Sequence, residues 1–314
     1  MKKLRVTFFW ILALALIAAA AVSVRAWREM NGPTEGRRVT LKVDALTEAS
    51  GLAASHRAPD LFFSLNDSGN EPVLYAFDGK GNERGRIRLR GADNKDWEAL
   101  AAVEMDGRAY LFIGDIGDNR SRRRDTIIHV IEEPDPSRLT PKKEITADIA
   151  WSLPFRYTDG PHDCETMLVD ARRREILLIS KRTASQIVYR LPFEAKPGEI
   201  RSASPVGKLI GLPQPSSFQR LFPSARGRYR GEATDGAISN DDAHVAILTY
   251  GCVAVYHRGP SESWAQALGR KPGVILPHDI PLSEALSFST DDARIFVTGE
   301  GAHSTMLEYA TPRD

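Results

Sequence analysis

After residue 28 the chain alternates short apolar runs with clusters of Asp, Gly, Pro and Asn, and no stretch keeps a helical period for several turns. The runs are rich in β-branched and aromatic residues, which predicts antiparallel strands. They recur in sets. Five segments open on Glu followed by small and apolar residues: EASGLAAS from Glu48, EALAAVEM from Glu98, ETMLVDAR from Glu165, EATDGAIS from Glu232 and EALSFSTD from Glu284. Each leads through a turn to a second apolar strand (LFFSLN, YLFIGD, ILLISK, VAILTY, IFVTGE) and then to a third (VLYAFD, IIHVIEE, QIVYRLP, VAVYHR, MLEYAT).

The glutamates are spaced 50, 67, 67 and 52 residues apart, a period that fits one four-stranded sheet per repeat. The fold expected is therefore all-β, a propeller of four-stranded antiparallel blades, with five blades read and six if a long spacing hides a degenerate copy. Fourth strands are expected at residues 83–91, 144–153, 204–212 and 272–278. The last repeat runs out of chain before its fourth strand, and residues 36–44 (GRRVTLKVD) are expected to fill that place and close the ring. Residues 213–230, PQPSSFQRLFPSARGRYR, carry no strand pattern and read as an insertion between blades three and four. The division expected is residues 1–28 as a signal segment, 29–35 as a linker and 36–314 as a single propeller domain.

The amino terminus differs from the rest. Lys2, Lys3 and Arg5 precede nineteen residues without a charge, Val6 to Val24, followed by Arg25 and Arg28. Such a segment is an export signal, either cleaved as a signal peptide or retained as a transmembrane anchor in the inner membrane through residues 6–24. The positive flank stays in the cytoplasm, so the body is expected at the periplasmic face, or in the periplasm or outside the cell if the segment is cut. The whole chain carries a net charge of +1; without the five basic residues of the first 28 it carries −4, which suits a cation site better than an anion receptor and gives no reason to expect nucleic-acid binding. Cys164 and Cys252, the only two cysteines, are read as buried and free or as one disulfide.

In a propeller the first strand of each blade lines the central channel, so repeat-equivalent residues become neighbours. Glu48, Glu98, Glu165, Glu232 and Glu284 are expected to form a ring, joined by the residues that end the second strands: Asn66, Asp115, Lys181, Tyr250 and Glu300. Carboxylates so gathered repel one another unless a positive charge sits among them, and oxygen donors from several blades suit a hard divalent cation such as calcium. The candidate ligands are Glu48, Asn66, Glu98, Asp115, Glu165, Glu232, Glu284 and Glu300. Lys181 is an alternative source of positive charge, and a purely structural ring that ties blades together stays open.

With these residues in place, EALSFSTDDARIFVTGEG resembles the recurring segment of bacterial esterase-like phytase and SdiA-regulated-type propellers, and ASGLAASHRAPDLFFSLNDSGN, NKDWEALAAV and LFIGDIGDN resemble the first two blades of exported relatives. The resemblance covers most of residues 46–311. It implies a propeller group that includes metal-dependent hydrolases, lactonases and proteins without known activity. It implies calcium held by Glu48, Asn66, Glu98 and Asp115, with Lys181 and Tyr250 departing from a full acidic set. Candidates for catalysis are Glu98, His162 and Glu165; His278 stands in a similar loop. Asp118 and Asn119 continue the turn after Asp115, and Trp97 either walls the pocket or packs between blades. No G-x-S-x-G elbow, P-loop, EF-hand or zinc-ligand spacing is present. Two functions are expected: a calcium-dependent propeller that binds or hydrolyses a small polar or phosphorylated ligand (a phosphoesterase or lactonase type if an enzyme), or a non-catalytic envelope scaffold.

Overall fold

A computed structural model describes residues 36–183, 185–194 and 200–312. The expected signal segment, residues 1–28, and the linker lie outside the described residues. No described helix is long and apolar enough to cross a membrane.

The described residues form a five-bladed β-propeller. The chain enters through β1 (Arg37–Thr40). Blade one holds β2 (Ala49–Ala54), β3 (Leu61–Asn66), β4 (Val73–Asp78) and β5 (Glu83–Arg90). Blade two holds β6 (Trp97–Met105), β7 (Arg108–Asp115) and β8 (Thr126–Glu132), then, after β9 (Glu144–Asp148), β10 (Trp151–Tyr157). Blade three is β11 (Cys164–Asp170), β12 (Glu175–Ser180), β13 (Ile187–Pro192) and β14 (Arg201–Lys208). Blade four is β15 (Ala233–Ile238), β16 (His244–Thr249), β17 (Cys252–His257) and, after the short helix α1 (Trp264–Leu268), β18 (Val274–Pro277). Blade five is β19 (Ser283–Phe288), β20 (Arg294–Gly299) and β21 (Thr305–Ala310), with β1 as its fourth strand, Arg37 facing Glu308 and Thr40 facing Thr305.

The five inner strands β2, β6, β11, β15 and β19 pack side by side in that order, and β19 returns against β2. Between each pair of neighbouring blades lies one apolar cluster, such as Leu65, Trp97, Leu100 and Ile113 between blades one and two. Because each blade is covered on both faces, β2, β3, β11 and β12 are buried at every position. That is why LFFSLN and EILLIS read as nearly continuous apolar runs instead of strict alternations. Trp97 is fully buried in its cluster, its indole N–H donating to the Asp93 carbonyl at 3.2 Å; it packs between blades and walls no pocket.

One expected strand divides. Residues 144–148 form β9, which adds to blade one in parallel with β5, Arg86 facing Glu144 and Arg90 facing Asp148. The outer strand of blade two is β10, antiparallel to β8. The pattern explains the split: Ile145 and Ala147 turn inward onto the blade-one cluster, and Arg88 pairs with Glu144 at 2.6 Å. A parallel pair between β10 and β14 joins the edges of blades two and three. Residues 213–230 form no strand, and Cys164 and Cys252 are buried and free; burial pushes the Cys164 thiol up to about 12.

Candidate functional site

Each inner strand starts with an irregularity that fixes which side chains reach the axis. Ala49, Trp97, Cys164, Ala233 and Ser283 pair with the neighbouring strand just before the ladder slips. The residues that follow them are Ser50, Glu98, Glu165, Thr234 and Glu284, and these form the inner tier. The residues that precede them, nearer the channel mouth, are Glu48, Asp96, Asp163, Glu232 and Leu282. Main-chain bonds repeat this frame: Asp67 N donates to Glu48 O, Gly117 N to Asp96 O, Lys181 N to Asp163 O and Glu300 N to Leu282 O.

The ring expected from the spacing is therefore two tiers. Glu48 and Glu232 stand at the mouth, and Ser50 and Thr234 occupy the places in blades one and four that Glu98, Glu165 and Glu284 fill elsewhere. In the same frame Asp67, not Asn66, is the counterpart of Lys181 and Glu300. Asn66 is buried and spent on structure, its Oδ1 accepting from Thr47 N and Glu48 N at 3.0 Å each and its Nδ2 donating to Ala45 O at 2.8 Å.

On the side of blades one and two the carboxylates of Asp67, Asp96 and Glu98 converge, with one oxygen from each lying within 4.8 Å of the others. This is the one such group of three among the described residues, and neither His162 nor His278 joins it. Asn94 builds the approach: its Nδ2 donates to both Asn66 O and Asp67 O at 2.9 Å, which ties the NDSGN turn of blade one to the NKDWE entry of blade two. Gly117 closes the back. A Cβ there would lie 2.6 Å from Asp96 Cγ and 2.7 Å from Glu98 Cγ, so the loop after β7 passes this close only without a side chain. Burial and the neighbouring Asp67 raise the Asp96 carboxyl to about 6, and burial with Glu165 and Asp67 raises Glu98 well above the usual range. Ser50 Oγ donates to Glu98 Oε2 at 2.8 Å.

The opposite side of the ring carries its own cation. Lys181, 2 % exposed, is in direct contact with the Glu165 carboxylate, donates to Tyr250 OH at 2.9 Å and lies 3.7 Å from Glu284 Oε1, while Tyr250 OH donates to Glu284. Burial lifts Glu284 to about 7 and Glu165 to about 8, opposed in both by the lysine. Arg182 holds Asp163 and reaches Glu165 Oε1 at 3.4 Å. The neighbouring Glu300 adds to the rise of Glu284, Glu48 Oε2 accepts from Asn70 Nδ2 at 2.6 Å, and Glu232 lies near Lys181 and Arg182 beside the 213–230 insertion.

Asp115 is 1 % exposed and belongs to neither group. Arg123 Nη2 lies 2.5 Å from its Oδ1, and the same guanidinium donates to Gly117 O at 2.7 Å while Arg123 N donates to Asp118 Oδ2 at 2.6 Å. One arginine of the RSRRR run is thus folded back as a strut; Asp118 is buried under it and Asn119 is exposed. His162 Nε2 sits 2.9 Å from Asp159 Oδ1 and 2.7 Å from Tyr189 OH, and His278 Nε2 sits 2.9 Å from Thr249 O in a burial that lowers its pKa to about 4. Sequence spacing missed Asp67 and Asp96 because the frame was set on glutamates, and only the slipped ladder shows which acids line up. The Asn-Asp pair at 66–67 and the Asn and Asp at 94 and 96 were the signal.

No protein-family model matches the chain, and no curated protein matches it. Among solved structures it is similar to a gluconolactonase from Xanthomonas campestris, with a TM-score of 0.44 and 14 % identity over 91 % of this chain and 92 % of that one. Likeness at this level carries neither an activity nor site residues across.

Proposed function

We propose that this propeller holds one divalent cation of the calcium type at Asp67, Asp96 and Glu98 and binds, or hydrolyses, a small polar or phosphorylated ligand at the channel mouth, on a body tethered to the outer face of the inner membrane. The observation that carries the reading is the convergence of those three carboxylates. Oxygens within 4.8 Å of one another fit inside a calcium coordination sphere, whose diameter is about 5 Å. Gathering three acids in a half-buried niche is unfavourable without a cation, and Lys181 is committed to Glu165 and Glu284 across the ring. A bound cation would supply Lewis-acid polarisation of a carbonyl or phosphoryl oxygen and a more acidic water.

Of the three expected catalytic candidates, Glu98 is placed in the cluster, Glu165 is paired with Lys181 and Arg182, and His162 is held by Asp159 and Tyr189. A specific observation favours the second reading, a non-catalytic scaffold: side chains of the inner strands tie neighbouring blades, Ser50 to Glu98, Thr234 Oγ1 donating to Ser283 O at 2.7 Å and Asp235 Oδ2 accepting from Leu286 N at 2.6 Å.

The two are separated with the full chain in mild detergent, stripped by chelator and followed by thermal unfolding as calcium is added. The cation reading expects stabilisation of about 2.7 kcal/mol at a hundredfold excess over Kd, lost in Asp96→Asn. Equal melting with and without calcium in the unaltered chain would refute it.

A further inference from the structure

We infer that the 213–230 insertion is a membrane foot: its Leu221–Phe222 tip and the exposed Arg220 and Arg228 rest on an anionic lipid surface and hold the channel mouth toward the bilayer. The inference rests on the reading of residues 6–24 as a retained tether. Leu221 is 71 % exposed and Phe222 45 %, with Phe218 packed edge-on against Phe222 at 5.2 Å. Large apolar side chains presented together to water mark a binding surface. Around them stand the exposed Arg220 and Arg228, while Arg226 and Arg230 turn inward, the latter against Gly251; the segment holds no acidic residue, although the chain from residue 29 on is net acidic. Exposed apolar tips flanked by arginine are the composition of segments that lie in the interface of an anionic bilayer.

The position of the insertion supplies the second argument. Asp279, in the loop between β18 and β19, accepts a bond from Arg226 on its main-chain carbonyl and one from Arg38 on its carboxylate. The insertion is therefore fastened beside β1, the strand through which the chain enters the propeller. Twelve residues lie between Val24 and Arg37, so the thirteen Cα-to-Cα steps reach at most about 45 Å. A tether that short keeps the tip at high effective concentration near the lipid, so a weak contact is enough to orient the body. Leu282, 43 % exposed, is in the same loop as Asp279 and at the mouth tier.

The test uses the full chain in vesicles of phosphatidylcholine with phosphatidylglycerol. Cys164 and Cys252 are buried, so a bimane label can be placed on Phe222→Cys, on Leu221→Cys as a second position, and on Ser137→Cys in the turn between β8 and β9 at the far end of the propeller. Doxyl lipids are expected to quench the label at 222 and 221 and not at 137, and quenching at 222 should weaken without phosphatidylglycerol or in the Arg220→Gln, Arg228→Gln variant. Equal quenching at 222 and 137 in chains that float with the vesicles would overturn the foot alone. Chains that do not float would overturn the tether and the foot with it. A blue shift at 222 that grows with protein concentration and ignores lipid would assign the surface to a second copy, against the proposal.

Discussion

At the residue scale the ring is held by an imbalance that one side chain corrects. Lys181 is the buried ammonium facing Glu165 and Glu284, and those carboxylates raise its pKa against the desolvation that would lower it. Lys181→Met fits the space and removes the charge, leaving Glu165 with Arg182 alone and Glu284 without the ammonium. The expected loss is about 3–5 kcal/mol at pH 8, where both are pressed to ionise, and less at pH 5, where they keep protons. Urea unfolding at the two pH values checks it; a loss that is the same at both would show that the lysine acts by packing alone. The sequence displayed this lysine as the odd member of an acidic set, and its neutralising place was legible. Asp67 and Asp96 were not, because equivalence in the repeat depends on a ladder slip of one or two residues that composition does not record.

At the element scale the ring depends on the strand that joins its ends. β1 contributes only four residues, but the segment continues as Leu41, Val43 and Leu46, all buried between blades five and one, with Leu41 N donating to Ser304 O at 2.9 Å. Leu41→Ala removes an anchor at the place where closure is made, and about 2–5 kcal/mol of stability should go with it. Hydrogen exchange should rise in β21 and β2 before it rises in β12. Uniform loss of protection around the ring would mean that closure is not a separate weak point. The closing segment was readable because blade five lacks a fourth strand in the sequence. The division of residues 144–153 was not: two short runs separated by Ile149 and Ala150 have the length of one strand, and only their pairing partners, β5 and β8, tell them apart.

At the scale of the whole molecule, charge is sorted. Carboxylates converge on the axis, arginines stand on the insertion, and the protein's response to pH should follow from the axis. Asp96 and Glu284 are held at about 6 and about 7 by burial, above the ordinary values of 3.8 and 4.5. A carboxyl with a raised pKa binds its proton more tightly folded than unfolded. Its contribution to stability is full below the unfolded value and lost as pH rises through the folded one. Acids with lowered values, such as Asp78 and Asp241, act in the opposite sense, but below about pH 4, where ordinary carboxyls titrate. His278 and His129, whose pKa values burial lowers, work in the opposite sense up to about pH 6.5, but they are outnumbered by Asp96, Glu98, Glu165 and Glu284, so between about pH 5 and pH 8 the chelated chain is expected to melt at progressively lower temperature. Calcium should reverse the trend at its upper end, because the ion takes the place of the proton on Asp96, and should do little at its lower end. Calorimetry of the chelated and calcium-loaded chain at both ends decides it. A chelated chain whose melting temperature is level or rises between those limits would mean that the axial acids share their charge with the solvent and leave no niche for a cation.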